Sequence, residues 1–440
     1  MRVPSPFRSL PNPKEVWAWG MFDLANQSFT LLIITVLFPI YFKAIAVGDL
    51  TDAAKSKGDA LWSAGISISL FIVVLLSPVV GARADSKSNR KKFLMVSGVG
   101  CAILTAALSL IQPGSGWIGL LIFIPANILY QLGENLLASF LPGLSTTRNI
   151  GKVSAIGWTM GYIGGLLLLI IVAILSKFAG WNSPAHWRPI FIIAAVWFIL
   201  GILPAGLILK EPESHNYSSK AQEGIFDRLK STLRHASHHR ELFRFLIAFL
   251  VYGFGVQTMI AFAAILAGDF GIIGNQLILF TLQLTITAGA TAIMVAKFQD
   301  KIGVKATIIG FLVVWILSCG TMFGVKIMIP NDPPQWIFWV IGNGIGIGLG
   351  GIGTASRVIV GMFAPKQRTA EFFGLWGMTY KLAGAIGVLA FGQIKAWVGD
   401  AAALGLLTGF FAVGLVLMMR VDVLSGIRSA RRAERIKLDS

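Results

Sequence analysis

Twelve long runs of apolar residues divide the chain, and short polar segments separate them. A helix needs about 20 apolar residues to cross a hydrocarbon layer roughly 30 Å thick. Each run is about that long, so the pattern predicts an all-α polytopic membrane protein with twelve transmembrane helices. We place the spans at residues 16–43, 60–82, 93–112, 116–141, 150–176, 188–209, 243–267, 275–296, 304–326, 335–362, 369–396 and 401–419.

The composition supports the same class of protein. Of the 440 residues, 55% are hydrophobic and only 13% are charged, whereas an average soluble domain is about 25% charged. These proportions exclude a disordered chain, a coiled coil and almost any soluble enzyme. Cys101 and Cys319 both lie in apolar runs, so we expect no structural disulfide.

The basic residues predict the orientation of the chain. The net charge is +17, and most Lys and Arg residues lie in the N-terminal segment, in the loops after the even-numbered spans and in the C-terminal tail. Because cytoplasmic loops are enriched in Lys and Arg, we predict that both termini are cytoplasmic. The expected partner of this basic surface is the anionic cytoplasmic leaflet of the lipid bilayer, and not nucleic acid. The alternate loops hold only Lys43, Lys55, Lys57, Lys177, Arg188, Lys326 and Lys395.

A hydrophilic stretch separates the first six spans from the last six. We predict an N-terminal six-helix bundle over residues 1–209, a cytoplasmic linker over 210–242, and a C-terminal six-helix bundle with a basic cytoplasmic tail over 243–440. The loops after spans 2 and 8 repeat one pattern: a small residue, then Asp85 or Asp300 four positions later, then a basic cluster. Two repeated six-span halves are a recurrent transporter architecture with the substrate cavity near the midplane.

That loop pattern resembles the signature of the major facilitator superfamily, Gly-x-x-x-Asp-Arg/Lys-x-Gly-Arg-Arg/Lys. The second copy fits well, whereas in the first copy Ser86 replaces the basic residue and the arginine is shifted by one position to Arg90. A carboxylate at a helix end that pairs with a neighbouring arginine can hold the cytoplasmic face shut. Plain positive-inside topology is the alternative, but it does not explain the repeated Asp. The candidate gate residues are Gly81, Asp85, Arg90, Arg148, Asp300, Lys301, Arg357, Arg368 and Glu371.

Three further stretches resemble the vacuole-effluxer family of the major facilitator superfamily. They are Phe22-Asp23-Leu24-Ala25-Asn26 in span 1, Gly151-Lys152-Val153-Ser154 at the start of span 5, and Ser356-Arg357 with Glu371-Phe372-Phe373-Gly374 and Lys381 in spans 10 and 11. The resemblance implies export of small solutes, amino acids in the fungal members, and the short linker fits a bacterial member in the cytoplasmic (inner) membrane. The chain departs from the family at Leu24 and Gln27, where Trp and Ser are usual, and at Tyr380, where Gly often precedes the lysine.

Polar residues inside the predicted spans are the candidate cavity residues. An ionisable side chain at a helix centre costs roughly 2.5–3.5 kcal/mol on insertion, and such residues usually face a cavity. Asn and Gln have a second interpretation, because they also tie neighbouring helices together by hydrogen bonds. For Asp23 and Glu134 the alternative is a structural ion pair with Arg148 or Lys152. The candidates are Asp23, Asn26, Asn127, Gln131, Glu134, Gln257, Gln283, Asn343, Tyr380 and Lys381.

Seven glycines crowd residues 342–353 in span 10. Gly346-x-Gly348-x-x-Gly351 matches a dinucleotide-binding fingerprint by spacing alone. No strand precedes it, so we interpret the glycines as positions where helices approach closely.

The sequence therefore predicts a secondary transporter that moves a small polar solute, such as an amino acid, by alternating access and in the direction of efflux. We expect protons as the candidate coupling ion, no cofactor, no metal site and a monomer. The sequence lacks a phosphate-binding loop for ATP and shows no intramembrane metal pair or nucleophile arrangement that would indicate an enzyme. Two alternatives stay open: a proton-antiporting exporter of amphipathic compounds, and a membrane sensor that has lost transport.

Overall fold

The computed structural model describes residues 7, 10, 12–48, 52–86, 89–145, 150–211, 240–330, 333–364 and 369–436. Within these ranges, twelve helices are long and apolar enough to cross a membrane. They are α1 (Pro13–Ala46), α2 (Asp52–Ser86), α3 (Arg90–Ala107), α4 (Gly116–Ser139), α5 (Ile150–Ala179), α6 (Arg188–Ile208), α7 (Arg240–Asp269), α8 (Asn275–Ile302), α9 (Val304–Met328), α10 (Gln335–Phe363), α11 (Thr369–Trp397) and α12 (Asp400–Met419). A shorter helix, α13 (Val423–Ile436), follows. The twelve predicted spans match α1–α12 in order, so the predicted all-α fold is confirmed.

The chain forms two compact units. The first comprises Met1–Gln222 with Ile273–Leu282, and the second comprises Glu223–Ile272 with Gln283–Ser440. In the first unit α1 packs against α5 and α6, and α3 packs against α4 and α6. In the second unit the helices six places later repeat these pairings, because α7 packs against α11 and α12, and α9 packs against α10 and α12. Most of the predicted linker lies outside the described residues.

A glycine permits the closest helix approach at matching places in the two units. A Cβ atom on Gly164 of α5 would collide with the carbonyl of Leu24 in α1, and a Cβ on Gly387 of α11 would lie 2.5 Å from the Cα of Phe254 in α7. Small residues allow the backbones of membrane helices to approach in this way. Any larger side chain at either position would push the first helix of its unit away from the fifth.

The glycine-rich stretch of α10 packs against two neighbouring helices. A Cβ on Gly350 would collide with the backbone of Ala288 in α8, and a Cβ on Gly348 would collide with the ring of Trp315 in α9. The structure thus supports the interpretation of these glycines as packing positions on two faces of α10.

The first helix departs from regular α geometry. Its backbone is α-helical over Pro13–Ser28, widens to a π-helix over Phe29–Val36, and widens again over Phe42–Ala46. Pro39 lies between the two π segments and has no backbone N–H to donate to the preceding turn. Segments of π-helix within α-helices frequently mark functional sites, and sequence periodicity did not indicate this one.

Large apolar side chains cover the outer faces of the helices. Leu121 is 73% exposed, Leu207 82% and Met328 83%. Soluble monomers rarely expose so many large apolar side chains together. It matches the requirement that faces turned toward lipid be apolar.

Candidate functional site

The predicted polar faces of α1 and α4 meet in the first unit. The side-chain amide nitrogen of Asn26, a residue that is only 1% exposed, donates a hydrogen bond to Oε1 of Glu134. One turn further along α1, the hydroxyl groups of Thr30 and Tyr130 are 2.6 Å apart. Both contacts join polar groups in the interior of the unit, so the two helices share a polar seam, which we define by Asn26, Thr30, Tyr130 and Glu134.

The seam also has one acceptor atom that the described residues leave unsatisfied. Oδ1 of Asn26 is fully buried and has no hydrogen-bond partner among them. A buried polar atom without a partner costs about 1–3 kcal/mol. This carbonyl oxygen therefore lacks a hydrogen-bond donor among the described residues, and it is closed to solvent in this conformation.

Asp23 lies one turn before Asn26 on α1 and faces α5. A Cβ on Gly157 would lie 2.8 Å from Oδ2 of Asp23. The small residue on α5 thus leaves room for the carboxylate. Trp19, a further turn back, donates its indole N–H to the carbonyl of Leu137 in α4 at 2.9 Å.

Asn127 ties two helices together in the first unit. Its Nδ2 donates to the hydroxyl of Ser69 in α2 at 2.6 Å, and Asn135 donates to Ser77 two turns later at 2.9 Å. Gln131 lies between the two asparagines on α4 and is half-buried. The contact of Asn127 is of the helix-tying kind that sequence analysis kept as the alternative for amide side chains.

The second unit repeats this tie at corresponding positions. Oδ1 of Asn343 in α10 accepts a hydrogen bond from the hydroxyl of Thr287 in α8 at 3.1 Å. Asn127 pairs with Ser69, and Asn343 pairs with Thr287, so each bond joins the second and fourth helices of its unit. Gln283, one turn before Thr287, donates to the carbonyl of Trp339 at 3.0 Å.

Aromatic rings surround the candidates on α7 and α11. The ring of Tyr380 stacks on that of Trp376 with centroids 6.2 Å apart, and its other aromatic neighbour is Phe249 at 6.0 Å. Nε2 of Gln257 makes a long contact of 3.4 Å to the carbonyl of Tyr380. The next residue, Lys381, is 9% exposed. Its amino group is therefore buried near the middle of a membrane helix.

The gate candidates are only partly described. The side chains of Asp85, Arg148, Asp300, Arg368 and Glu371 lie outside the described residues. Of the others, Gly81 has open space where a Cβ would project, Lys301 is exposed, and Arg357 lies over the ring of Trp376 at 5.5 Å. Nη1 of Arg90 makes a long contact of 3.4 Å to the carbonyl of Ser139.

Glu211, which sequence analysis did not single out, caps the helix that starts at Arg90. Its two carboxylate oxygens accept the backbone N–H groups of Arg90 at 2.5 Å and of Lys91 at 2.9 Å. A carboxylate at a helix N-terminus satisfies free N–H groups and is favoured by the helix dipole. Glu211 follows α6 and so connects the end of α6 to the start of α3. In the second unit the start of α9 is connected to the end of α12 by a lysine instead, because Nζ of Lys305 donates to the carbonyls of Met419 and Val421 at 2.8 Å each.

Ion pairs lie at the helix ends that are opposite to those with the gate candidates. In the second unit Nζ of Lys395 lies 2.6 Å from Oδ1 of Asp400 and 2.9 Å from Oδ2 of Asp269, and Nζ of Lys326 lies 3.8 Å from Asp400. We call these four residues the end network, since they join the ends of α7, α9, α11 and α12.

The first unit has related contacts at the corresponding ends. Nζ of Lys43 pairs with Asp59 at 2.5 Å, and the guanidinium of Arg188 donates to the carbonyl of Ile111 at 2.8 Å and to the hydroxyl of Tyr41 at 3.2 Å. Several of the few basic residues in the odd-numbered loops thus have partners within their own unit.

Solved transporter structures share this architecture. A D-xylose-proton symporter aligns with a TM-score of 0.70 at 13% identity, over 93% of this chain and 97% of that chain. The nucleoside transporter NupG aligns with a TM-score of 0.66 at 13% identity, over 92% of this chain and 96% of that chain. At such low identity the likeness shows the fold alone, which is the fold of major facilitator transporters and not of an enzyme.

The sequence also matches one transporter family over nearly its whole length. The profile of the family described as "Vacuole effluxer Atg22 like" matches residues 11–431. An uncharacterized MFS-type transporter of Bacillus subtilis (strain 168), YxiO, is 26% identical over 415 residues, which cover 92% of this chain and 94% of the relative. Autophagy-related protein 22 of Kluyveromyces lactis is 22% identical over 403 residues, which cover 85% and 81%. The chain therefore belongs to the vacuole-effluxer family, and the family resemblance is confirmed.

Proposed function

We propose that this protein is a secondary transporter that moves a small polar solute of the amino-acid class across the membrane by alternating access, in the direction of efflux. The observation that carries the proposal is the polar seam, in which buried Asn26 contacts Glu134 and keeps a carbonyl oxygen without a partner among the described residues. Glu134 is an ionisable residue within a membrane helix, and such residues usually face a cavity or a substrate pathway. A transported polar molecule would supply the donor that Oδ1 of Asn26 lacks, once the transport cycle opens the seam to the cavity.

The charges inside the two units favour a zwitterionic solute. In the first unit Asp23 and Glu134 are the candidate partners for an ammonium group. In the second unit Lys381 is the candidate anchor for a carboxylate, because a buried ammonium requires an anionic partner. An amino acid carries both groups, whereas a sugar or a nucleoside carries neither.

Proton coupling is the form of energy input that the seam supports. Glu134 is a carboxylate among buried side chains, and such a group can exchange its proton when its surroundings alternate between solvent and protein. Asp23, one turn from Asn26, is the second candidate. The solved symporter with a similar fold is described as a proton symporter of D-xylose, which shows that protons can drive transport on this fold.

We also propose that the repeated loops form a cytoplasmic gate and that the protein resides in a bacterial cytoplasmic membrane with both termini in the cytoplasm. The support is twofold: Lys and Arg residues are concentrated in alternate loops, and Asp85 and Asp300 occupy matching positions in two of these loops. Loss of Asp from both loops would leave topology intact but remove the charges that we propose to pair with arginines.

Transport in proteoliposomes tests the proposed function. The purified chain is reconstituted, and uptake of labelled amino acids is measured with and without a pH gradient, beside a labelled sugar and a labelled nucleoside. We expect saturable movement of at least one amino acid and its acceleration by the gradient. A protein that moves only the sugar, the nucleoside or an amphipathic cation would contradict the substrate class, and a folded protein that moves none of them would contradict transport.

A further inference from the structure

A helix with a basic face follows the last membrane span. α13 (Val423–Ile436) begins shortly after α12 ends at Met419. Oδ1 of Asp422 accepts the backbone N–H of Ser425 at 3.0 Å, and Oδ2 accepts the hydroxyl of Ser425 at 2.7 Å. These hydrogen bonds from Ser425 hold the pKa of the Asp422 carboxyl below its usual value. Asp422 is thus a well-formed N-cap that fixes where α13 starts.

The start of α13 is also fastened to α7. The backbone N–H of Asp422 donates to Oε2 of Glu241 at 2.8 Å, and Oε1 of Glu241 pairs with Arg244 at 2.6 Å. The turn between α12 and α13 is held as well, because its carbonyls at Met419 and Val421 accept hydrogen bonds from Lys305. The first turn of α13 therefore has a fixed position at the level where the spans end.

One face of α13 is buried against its own unit. A Cβ on Gly426 would collide with the ring of Phe363 at the end of α10, and Ala430, one turn later, is 5% exposed. Because only small residues fit here, the helix lies close to the ends of the spans. This contact determines which residues of α13 point away.

One leucine and two arginines are among the described residues that point away, beside the exposed Ser425 and Ser429. Leu424, Arg428 and Arg432 recur at every fourth position and therefore share a face, roughly opposite to Gly426 and Ala430. Leu424 is 67% exposed, and both arginines are exposed. We call these three residues the basic stripe.

We propose that the basic stripe binds the phosphate groups of anionic lipids at the end of the bilayer where α12 terminates. The guanidinium group of arginine forms paired hydrogen bonds with phosphate oxygens. The leucine precedes the arginines by one turn and lies nearest to the end of α12, where an apolar side chain can enter the headgroup boundary. The basic asymmetry predicts this end to be cytoplasmic, and that leaflet is rich in anionic lipid.

Lipid fits the stripe better than a macromolecular partner. The three described residues of the basic stripe are far fewer than the roughly 20–30 residues that each partner contributes to a stable protein interface. A lipid needs only a phosphate contact and a short apolar contact, and it is present at high concentration beside the end of α12.

Lipid retention by the purified full-length protein tests the proposal. The protein in detergent is mixed with equal amounts of phosphatidylglycerol and phosphatidylcholine, and the bound lipids are counted by native mass spectrometry. For R428Q/R432Q we expect the ratio of bound phosphatidylglycerol to phosphatidylcholine to fall by roughly fivefold to thirtyfold, the equivalent of about 1 kcal/mol for one or for each of the two arginines near an anionic surface. Leu424→Ser should lower the retention of both lipids, because it removes the apolar contact and leaves the arginines.

A matched control separates the stripe from total charge. K57Q/K177Q removes the same two charges from exposed lysines outside α13, and it should keep the wild-type ratio. An unchanged ratio in R428Q/R432Q, or an equal fall in the control, would overturn the proposal. Displacement of phosphatidylglycerol by inorganic phosphate alone would assign the stripe to free phosphate and would overturn it as well. Since both arginines are exposed, thermal unfolding of the variant in phosphatidylcholine nanodiscs should match wild type, and a large loss of stability would assign the arginines to folding instead.

Discussion

Lys381 lies near the middle of α11, and only 9% of the residue is exposed. It lies about twelve residues into its span, which is roughly 18 Å along a helix that rises 1.5 Å per residue. Such a depth is too great for the side chain to reach either interface easily. A buried ammonium group needs an anionic partner, or it loses its proton. The two hypotheses for that partner are the carboxylate of the substrate and an acidic side chain.

Replacement of Lys381 by Met separates these hypotheses. As a substrate anchor, the variant should fold normally and lose at least about tenfold in substrate affinity, since a hydrogen bond to a charged group contributes about 1.5–3 kcal/mol. As a structural ion pair, it should unfold at lower temperature, and a second change of Asp23 or Glu134 to the amide should restore stability. Wild-type affinity in a stable K381M protein would contradict both hypotheses.

Glu134→Gln tests proton coupling with little change of shape. The amide keeps an oxygen that can accept the hydrogen bond from Asn26, so the seam should stay intact while the titrating group is lost. We expect pH-driven accumulation to disappear while exchange of labelled for unlabelled substrate continues. Asn135→Ala is the matched control, because it removes a polar side chain of the same helix that bonds Ser77 instead. Full accumulation in both E134Q and D23N would exclude these residues as proton carriers.

The sequence alone could identify candidate site residues, but it could not identify the residues that they contact. Polar side chains are conspicuous in an apolar span, so Asp23, Asn26 and Glu134 could be found from the sequence. Their partners could not, because periodicity gives the face of a helix but not the neighbour that this face meets. Asn26 and Asn127 have the same side chain, yet one contacts Glu134 of α4 and the other ties α4 to Ser69 of α2.

At the scale of helices, the end network joins four helix ends through two lysines and two aspartates. Lys395 lies at its centre, and its side chain is 4% exposed, whereas that of Asp400 is 37% exposed. The network could not be predicted from sequence, because Asp269 and Lys395 are far apart along the chain and meet only after α7 and α11 pack together. Charged residues at span ends looked like ordinary loop residues.

Lys395→Met should destabilise the second unit. Removal of one partner from a fully buried ion pair costs about 3–5 kcal/mol, and the partial exposure of Asp400 lowers our expectation to about 1–3 kcal/mol. Thermal unfolding in detergent measures the loss. Lys177→Met removes an exposed lysine near another helix end and should leave the melting temperature unchanged. A K395M protein as stable as wild type would show that solvent replaces the network at no cost.

The proposed gate belongs to two helix ends, because the loops after α2 and α8 repeat one sequence pattern. The double change D85N/D300N removes one negative charge from each loop and leaves every basic residue in place. If the carboxylates pair with arginines to close the cytoplasmic side, transport should fall severalfold while the amount of folded, inserted protein stays constant. Transport at the wild-type rate in the double variant would reduce both loops to topology signals.

At the scale of the whole chain, length and apolar pattern were sufficient to predict twelve helices and their order, because the thickness of the bilayer limits what a long apolar run can become. The repeat was also visible, and the matching pairings of α1 with α5 and of α7 with α11 support it. The π segments of α1 were not predictable, because the pattern of polar and apolar residues does not distinguish a π turn from an α turn.

The orientation of the whole chain rests on where its basic residues lie. Lys43, Lys326 and Lys395 at the predicted outer ends form ion pairs with carboxylates of their own unit, so they contribute little free positive charge. The arginines of α13 are exposed and keep theirs. The positive-inside rule counts Lys and Arg and is not a net-charge rule, so the predicted orientation rests on the distribution of these residues among the loops. We therefore expect a reporter fused at Ser440 to be cytoplasmic and a cysteine at Lys177 to react with an impermeant thiol reagent from outside. Cys101 and Cys319 are both buried, so the wild-type chain provides a low background for this labelling. A cysteine placed within residues 215–225 should react only after the membrane is opened, and its labelling in intact cells would contradict the orientation.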